Sequence, residues 1–496
     1  MKKKIIVIGS GFGGLAAANR LAAKGHDVTL YEKRDKLGGR GYQYEINGFK
    51  FDGGPTVMTA PYIFDEIFKA AGKKRQDYFE LIPLDPFYRL FDEHGNAFNY
   101  RHNFDDMVQE IQKWNASDVV GYGKFVRQAK KMFDLFHPYT DQSFLTFGKM
   151  LKIMPGVIKL QGQLSFYRFV ARYIKDEHLR RFFSFHPLLV GGSPFETPGL
   201  YTLIVQFEKE WGVHYARGGT GSVVAGLGKL FTDLGGKIHL NTEVTEILVK
   251  DRQVTGVRFA DNSTERADVV VCNGDVAYAY RHLIPEQHRR KYTNRRIDSM
   301  KYSMSLVVIY FGTKRRYLDS PLAHHNIMFA PRYRGLLRDI TRGDKLPQDF
   351  SLYLHMPTIT DSSIAPAGCE SFYVLSLVPT LRANIDWKNE IEPYKQKIYQ
   401  YLEEHYLPDL RANIIAEHHI DPTHFHDTLN SYLGAAFSVK PSLLQSGYWR
   451  PHNRSEEFDN LYFVGAGTHP GAGVPAVLSS GKIVAELIDP SPRATL

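Results

Sequence analysis

A glycine-rich turn near the start of the chain constrains the fold more than any other feature. The apolar run from Ile5 to Ile8 is short enough to be a strand buried on both faces. A complete G-x-G-x-x-G pattern follows it, formed by Gly9, Ser10, Gly11, Phe12, Gly13 and Gly14. The three glycines that define this pattern allow, in order, a tight turn, a close approach of a pyrophosphate to the backbone, and close packing of the next helix. Because strong helix formers follow up to Ala23, the pattern predicts a dinucleotide site at a helix N-terminus.

A second predicted strand, Val28 to Glu32, completes this pattern with an acidic residue eighteen positions after Gly14. This spacing predicts that the carboxylate binds an adenosine ribose and would repel a ribose 2′-phosphate. The opposing interpretation is a secretory signal peptide, because Met1 to Lys4 places positive charge before an apolar stretch. Four glycines interrupt that stretch, and cleavage would remove the first strand. The sequence therefore favours a nucleotide-binding start.

The composition indicates a large globular protein without a disulfide framework. The 496 residues are 43% hydrophobic and 23% charged, which is ordinary for a folded protein. The two cysteines, Cys272 and Cys369, are predicted to be buried thiols in a reducing compartment. No run of eighteen apolar residues occurs, so no membrane-spanning helix is expected. These features favour a cytoplasmic protein, which could still touch a bilayer from one side.

Most of the net charge of +9 lies in one segment, residues 121–175. This segment contains ten Lys or Arg residues and two acidic ones, interleaved with many Phe, Leu, Met and Ile residues. Three interpretations are open: an anionic membrane surface, a set of solvated helix faces, or nucleic acid. The mixture of basic and apolar residues favours the membrane surface. No nucleic-acid-binding motif accompanies the segment, so nucleic acid is not expected as a partner.

A second glycine-rich turn lies near the C-terminus. The apolar run Leu461 to Val464 precedes the glycine-rich stretch Gly465 to Gly473, and a helix is predicted from Val474 to Ile488. This strand-to-helix turn is another place where backbone amides can meet a ligand. Further strands are predicted between residues 237 and 271 and from about residue 305 onward. We therefore expect a nucleotide-binding domain assembled from the two ends of the chain and a middle piece.

Several of these motifs resemble a known family. Gly9 to Gly14, Glu32, Gly38-Gly39-Arg40, Arg217 to Gly221 and Val464 to Gly473 resemble the flavin amine oxidase and phytoene desaturase superfamily. Further motifs are similar to the bacterial and fungal type of phytoene desaturase: Ser184 to Ser193, Trp211 to His214, Phe350 to His355, Thr360 to Ser363 and Gly467 to Gly473. The likeness runs from about residue 4 to residue 488.

The resemblance implies an α/β fold, α+β overall, in which a Rossmann-like FAD-binding domain is interleaved with a substrate domain. The FAD-binding domain is expected to comprise residues 1–82, 214–289 and 448–492. The mixed-sheet substrate domain is expected to comprise residues 83–102 and 290–386, with a helical part at 387–447. Residues 103–213 are expected to form a helical region that faces the membrane and admits the substrate.

The same resemblance implies non-covalent FAD stretched between the two glycine-rich turns. The fingerprint residues and Glu32 would hold the ADP half, Gly39 and Arg40 would lie along the pyrophosphate and ribityl chain, and Val244 would meet the adenine through its backbone. The expected cofactor-binding residues are Gly9, Ser10, Gly11, Phe12, Gly13, Gly14, Glu32, Lys33, Gly39, Arg40, Pro55, Thr56, Val244, Gly465, Gly467, Gly473 and Val474.

The sequence does not identify a catalytic acid or base. His469, in the C-terminal glycine-rich stretch, and Asp52, beside a Gly-Gly turn, are weak candidates, because a structural role is the more usual one for each. The histidine pairs His324-His325 and His418-His419, and the group His424-Phe425-His426, lack the spacing of zinc ligands. No metal is therefore expected.

By resemblance, the substrate is phytoene or a related acyclic carotenoid taken from the membrane, and the reaction is its desaturation towards lycopene. A quinone or oxygen is the expected electron acceptor. The alternatives are a C30 diapophytoene desaturase, a carotenoid ketolase or isomerase, an amine oxidase, and a non-catalytic prenyl-lipid-binding protein of the same fold.

Overall fold

The computed structural model describes residues 1–491 of the chain. The last position of the expected third FAD-binding segment, Pro492, lies outside them. In chain order the strands are β1 (Lys4–Ile8), β2 (Asp27–Tyr31), β3 (Gln43–Ile46), β4 (Phe49–Asp52), β5 (Met58–Thr59), β6 (Leu81–Pro83), β7 (Tyr88–Phe91), β8 (Ala97–Tyr100), β9 (Val213–Ala216), β10 (Lys237–His239), β11 (Val244–Lys250), β12 (Gln253–Phe259), β13 (Thr264–Arg266), β14 (Val269–Cys272), β15 (Ser305–Thr313), β16 (His325–Met328), β17 (Leu352–His355), β18 (Glu370–Val378), β19 (Ile414–Ile420) and β20 (Leu461–Phe463).

The α-helices connect and cover these strands. In chain order they are α1 (Phe12–Ala23), α2 (Pro61–Ala70), α3 (Phe104–Asn115), α4 (Val119–Phe136), α5 (Phe147–Lys159), α6 (Phe166–Val170), α7 (Glu177–Ser184), α8 (Leu203–Trp211), α9 (Thr220–Asp233), α10 (Val276–Tyr278), α11 (Asn294–Ser299), α12 (Tyr333–Arg342), α13 (Trp387–His405), α14 (Leu410–Asn413), α15 (Pro422–Asp427) and α16 (Val474–Ile488).

A five-stranded parallel sheet joins the two ends of the chain. Its strand order is β10-β2-β1-β14-β20, so strands from all three segments expected to bind FAD lie side by side. Helices α1 and α16 pack closely on one another because their contact surface is made of small residues. A Cβ atom added at Gly481 would lie only 2.7 Å from the Cβ of Ala16. This packing brings the two glycine-rich turns to the same end of the sheet.

A seven-stranded mixed sheet forms the second layer, in the order β19-β15-β18-β17-β16-β7-β8. Strand β15 is buried along its whole length, and its side chains alternate between two environments. Val307, Ile309 and Phe311 pack in the same core cluster as residues of α13, whereas Leu306 and Val308 line an internal cavity. The sheet therefore forms one wall of that cavity.

Strand β19 lies within residues 387–447, a segment predicted to be helical. It forms the edge of the seven-stranded sheet and pairs antiparallel with β15. Only Ala416 and Ile420 of this strand are buried, so its apolar alternation is too weak to be recognised in the sequence.

Helices α3 to α8 pack mainly on one another, with α4 against α3, α5 and α8, and α6 against α7. Within residues 1–491 we find no helix that combines the length and the apolar character needed to cross a bilayer. Helix α5 contributes buried residues on one side and exposed apolar residues on the other, a distribution that bears on the site described next.

Candidate active site

The fingerprint turn has the tight geometry that its glycines predict. Gly9 has a φ of 88°, and a Cβ atom at Gly14 would lie 2.1 Å from the Gly9 carbonyl oxygen. A Cβ at Gly11 would lie 2.8 Å from the amide nitrogen of Asn273, and one at Gly13 would lie 2.7 Å from its amide oxygen. Backbone and Asn273 therefore occupy the space that side chains would need.

Glu32 lies at the end of β2, and its carboxylate is held by the fingerprint itself. Ser10 donates to it from its backbone nitrogen at 2.9 Å and from its hydroxyl at 2.6 Å. The backbone nitrogen of Arg34 donates to the other carboxylate oxygen at 3.0 Å. Of its expected neighbours, Lys33 donates to Asn430 at 2.8 Å, and Val244 is buried at the start of β11. The adenosine-binding roles of these residues stay predictions.

Arg40 offers a half-buried positive charge for a diphosphate. One terminal nitrogen donates to the Ser431 hydroxyl at 2.7 Å, while Nε has no hydrogen-bond partner among the described residues. Burial lowers the pKa of Arg40, and Asp275 opposes that effect. Gly39 has a φ of 55°, and a Cβ there would lie 3.2 Å from the Cα of Gly11. An anion beside Arg40 would satisfy the buried guanidinium, so these residues fit a dinucleotide cofactor.

Pro55 and Thr56 continue this lining along the cavity. The Thr220 hydroxyl donates to the Pro55 carbonyl oxygen at 2.5 Å, and the Thr56 hydroxyl lies 2.6 Å from the hydroxyl of Tyr353. Tyr353 belongs to β17 of the mixed sheet. These contacts join the nucleotide-binding layer to the second sheet at the expected cofactor site.

The C-terminal glycine-rich stretch closes the same cavity, and a buried arginine holds it in place. Gly465, Gly473 and Val474 line the cavity, whereas a Cβ at Gly467 would meet Val276 at 2.7 Å behind the lining. Arg450, only 2% exposed, donates to the carbonyl oxygens of Ala466, Thr468, Val439 and Gln445 at 2.6, 2.9, 3.0 and 3.2 Å.

The other half of the cavity is apolar. Its lining side chains come from α5, α8, β15, β18 and the segments near residues 189 and 429: Met150, Ile153, Val157, Leu188, Leu189, Leu203, Ile204, Phe207, Leu306, Val308, Leu375, Leu377 and Leu429. One continuous cavity thus joins a surface of glycine backbone and buried charge to a surface for an apolar molecule. Such a site can hold a hydrocarbon next to a dinucleotide cofactor and exclude water.

His469 lies in the cavity lining, as one of the two catalytic candidates. Its Nε2 lies 3.1 Å from the carbonyl oxygen of Tyr139, which can only accept, so Nε2 carries the proton. Its Nδ1 is buried with no partner in residues 1–491 and therefore presents a lone pair. Burial lowers the pKa of His469 to about 4, so the ring is neutral near pH 7.

Asp52, the other candidate, does not line the cavity. Gln43 donates to its carboxylate at 3.0 Å, and the backbone nitrogen of Gly221 donates at 3.4 Å. Burial raises the pKa of Asp52. Asp52 therefore connects strand β4 to the start of α9, and this geometry favours the structural role.

The sequence did not single out Asn273, Asp275, Glu208 and Arg450, which line the cavity. Asn273 and Asp275 follow β14, so the rule that ligands bind beyond the carboxyl ends of parallel strands could have found them. Asp275 accepts from the Ser438 hydroxyl at 2.6 Å and from the first backbone amides of α10. No sequence signal marks Glu208 or Arg450, because their roles depend on distant partners.

Three histidines come together beside the cavity, although their spacing in the sequence predicts no metal site. The Nε2 atoms of His324 and His355 lie 3.0 Å apart, and the hydroxyl of Tyr353 lies 2.7 Å from Nδ1 of His325. All three rings are buried. Burial lowers the pKa of His324 to about 3, which keeps its ring neutral. The expectation that the chain binds no metal stays a prediction.

Comparisons with known proteins agree with this geometry. Residues 12–489 match the family model described as flavin containing amine oxidoreductase. Phytoene desaturases (lycopene-forming) of Pseudescherichia vulneris and Pantoea ananas are each 47% identical to the chain over 98% of its length and 99% of theirs. A phytoene desaturase (neurosporene-forming) of Cereibacter sphaeroides is 42% identical, covering 99% of this chain and 95% of that protein.

Two solved structures share the fold. An oxidoreductase from Methanosarcina mazei is 17% identical with a TM-score of 0.65, covering 98% of this chain and 100% of its own. A putrescine oxidase double mutant is 13% identical with a TM-score of 0.66, covering 98% of this chain and 99% of its own.

Proposed function

This chain belongs to the flavin containing amine oxidoreductase family, and we propose that it is an FAD-dependent desaturase that converts phytoene, or a related acyclic carotenoid, towards lycopene. The observation that carries this proposal is the continuous cavity with a backbone-lined, charged half and an apolar half. A carotenoid has no polar group for a protein to recognise. An apolar cavity is therefore the binding site that its chemistry requires.

We propose that FAD binds non-covalently, with the ADP half at the fingerprint and Glu32, the diphosphate near Arg40, and the flavin end at the C-terminal glycine-rich stretch. The unpartnered Nε of Arg40 supports the diphosphate position. Neither Cys272 nor Cys369 lines the cavity, which supports non-covalent binding. When bound, the flavin supplies a hydride acceptor.

The protein's own contribution is positioning and the exclusion of water. Residues of α8 and β18, among them Phe207 and Leu375, hold the chain of the substrate. Thr56 and Tyr353 join the two halves of the cavity and keep them in a fixed relation. When the cavity holds the reactive carbons in place, their translational and rotational freedom is lost on binding. The chemical step itself then no longer includes that entropy loss in its barrier.

The substrate must come from a lipid phase. Exposing about forty hydrocarbon carbons to water costs on the order of 30 kcal/mol at about 0.8 kcal/mol for each carbon. Diffusion through water is therefore far too unfavourable. Direct transfer from a bilayer into the cavity avoids this cost.

Helix α5 is the part of the wall that fits this transfer. Its inward side chains line the cavity: Met150, Ile153 and Val157. Its outward apolar side chains, Phe147, Leu151 and Ile158, are 45%, 58% and 57% exposed. Lys152 and Lys159 are exposed beside them, whereas Lys149 donates to the Ser143 carbonyl oxygen at 2.7 Å. A single helix thus separates the cavity from a basic, apolar surface, which supports peripheral membrane binding from the cytoplasmic side.

The proposal is tested by incubating the purified protein with FAD and liposomes that contain phytoene, with a quinone or oxygen as electron acceptor. We expect the protein to show a flavin absorption band and to release the flavin on unfolding. Chromatography should show lycopene or an intermediate product. Feeding a C30 diapophytoene and a cis-carotenoid in parallel separates the desaturase from the related carotenoid enzymes. A protein that binds no flavin and leaves every carotenoid unchanged would support the lipid-binding alternative instead.

A further inference from the structure

A buried glutamate belongs to the lining of the apolar half of the cavity, and no step described so far uses it. Glu208 lies on α8, is 1% exposed and belongs to the cavity lining. The hydroxyl of Tyr88 on β7 donates to one carboxylate oxygen at 2.8 Å. Nε2 of His186 lies 3.0 Å from the other oxygen. The side chain is thus held from two sides by residues that are themselves fully buried.

The hydrogen-bond roles within this group follow from its contacts. A carboxylate accepts from Nε2–H of His186. Nδ1 of the same ring is buried and has no partner in the part of the chain that the structure describes. The arrangement therefore consists of a carboxylate with one phenol and one imidazole as donors, next to a core of apolar and aromatic side chains. Such donors fix the direction of the carboxylate.

The proposed desaturation creates a need for such a group. Forming one double bond removes a hydride from one carbon and a proton from its neighbour. The hydride has an acceptor in the flavin, but a proton released into a dry, apolar cavity has no water to take it. A base must therefore reach the cavity.

The other ionisable groups of the cavity fit this role less well. The carboxylate of Asp275 is occupied by Ser438 and by the amides that begin α10. Burial keeps His469 a weak base, and protonation would create a second buried cation near Arg450. Protonation of a carboxylate instead removes a buried charge.

We propose that Glu208 is the catalytic residue that accepts the substrate proton, with Tyr88 and His186 as positioning residues. This inference rests on the proposed desaturation. In the step, the C–H electron pair left behind by the proton becomes the second bond between the two carbons. The flavin is the two-electron oxidant, and one oxygen of Glu208 forms the new O–H bond.

The test compares Glu208→Gln with Glu370→Gln, a matched control. Gln keeps the size of the side chain but removes its basicity. Glu370 is also fully buried and contacts the Thr358 hydroxyl, but it lies outside the cavity lining. Flavin bleaching by phytoene is measured in stopped flow without oxygen, after flavin content and carotenoid binding have been matched.

We expect Glu208→Gln to retain flavin and carotenoid but to slow bleaching by about 100-fold or more, which is the usual contribution of a general base. Phytoene deuterated at the carbon that loses the proton should show a larger isotope effect in this variant, because proton removal becomes limiting. A purely structural role would leave that isotope effect unchanged. The control should bleach at the wild-type rate.

Bleaching of Glu208→Gln within about threefold of wild type, with an unchanged isotope effect, overturns the inference while the desaturase function stands. Absence of bleaching in the wild type overturns the function itself. If Glu208→Gln does not fold, the variant Tyr88→Phe tests the inference instead, because it removes one hydrogen-bond donor to Glu208 and leaves the carboxylate in place. An unchanged rate and an unchanged isotope effect in that variant then overturn the inference.

Discussion

The buried guanidinium of Arg450 gives the sharpest test of how the C-terminal glycine-rich stretch is held. The change is Arg450→Lys, which keeps the buried charge, so the cost of removing that charge from water changes little. Arg450 reaches four carbonyl oxygens through three nitrogens. One ammonium nitrogen cannot reach acceptors placed around a planar fork, and we expect about two hydrogen bonds to be lost.

Each hydrogen bond to a charged group contributes about 1.5–3 kcal/mol, so the expected loss of stability is about 3–6 kcal/mol. The unfolding entropy of a 496-residue chain is about 1 kcal/mol per kelvin, from about 2.1 cal/mol/K for each residue. The melting temperature should therefore fall by about 3–6 °C. Flavin retention on a desalting column should also fall, because Ala466 and Thr468 belong to the stretch that the arginine holds.

Scanning calorimetry and flavin content measure the two effects. Arg454→Lys is the matched control, because Arg454 lies nearby with 47% side-chain exposure and a distant contact, 3.8 Å, to Asp459. It should change stability by less than about 0.5 kcal/mol. A melting temperature and flavin content of Arg450→Lys equal to those of wild type would refute the reasoning.

Three further perturbations address other parts of the molecule. Gly14→Ala places a Cβ 2.1 Å from the Gly9 carbonyl oxygen, so the purified variant should contain little flavin. The control Gly25→Ala, at a turn with free space, should keep its flavin, and equal flavin content in both variants would contradict the packing argument. The double variant Lys152→Glu/Lys159→Glu should sediment less with anionic vesicles than the wild type does. The control double variant Lys388→Glu/Lys397→Glu, at exposed positions on α13, should sediment like the wild type, and equal binding of the two double variants would exclude α5 as the membrane contact. Burial lowers the pKa of His469 to about 4, so the unfolded state binds more protons and wild-type stability should fall as the pH drops from about 6.5 towards 4. His469→Gln should lose less melting temperature between about pH 7 and pH 5, and an identical loss would show that another group controls acid sensitivity.

The sequence predicted those parts of the candidate site that depend on the backbone. Gly9, Gly14 and Gly465 are visible in the sequence because the positive φ of Gly9 and Gly465, and the close backbone contact at Gly14, disfavour any residue with a Cβ atom. Glu32 was predicted for a similar reason, since a strand end at a known distance from the fingerprint fixes its position. The interleaving of the domains followed from having such a turn at each end of the chain.

Other features could not be predicted, because they depend on contacts between distant residues. Tyr88 lies 120 positions from Glu208, and the contact between His469 and Tyr139 spans 330 positions. The sequence suggested His469 as a candidate, but only the position of the Tyr139 carbonyl decides which ring nitrogen carries the proton. Similarly, the basic and apolar character of residues 121–175 was evident, but not which side of α5 faces the cavity.

Local chemistry therefore predicts where a dinucleotide binds, because glycine and a strand-end acid act through their own backbone positions. Only the tertiary structure decided which charged groups share the cavity. Asn273, Arg450 and Glu208 acquire their roles from packing between segments far apart in the chain, and no local pattern of residues records such packing.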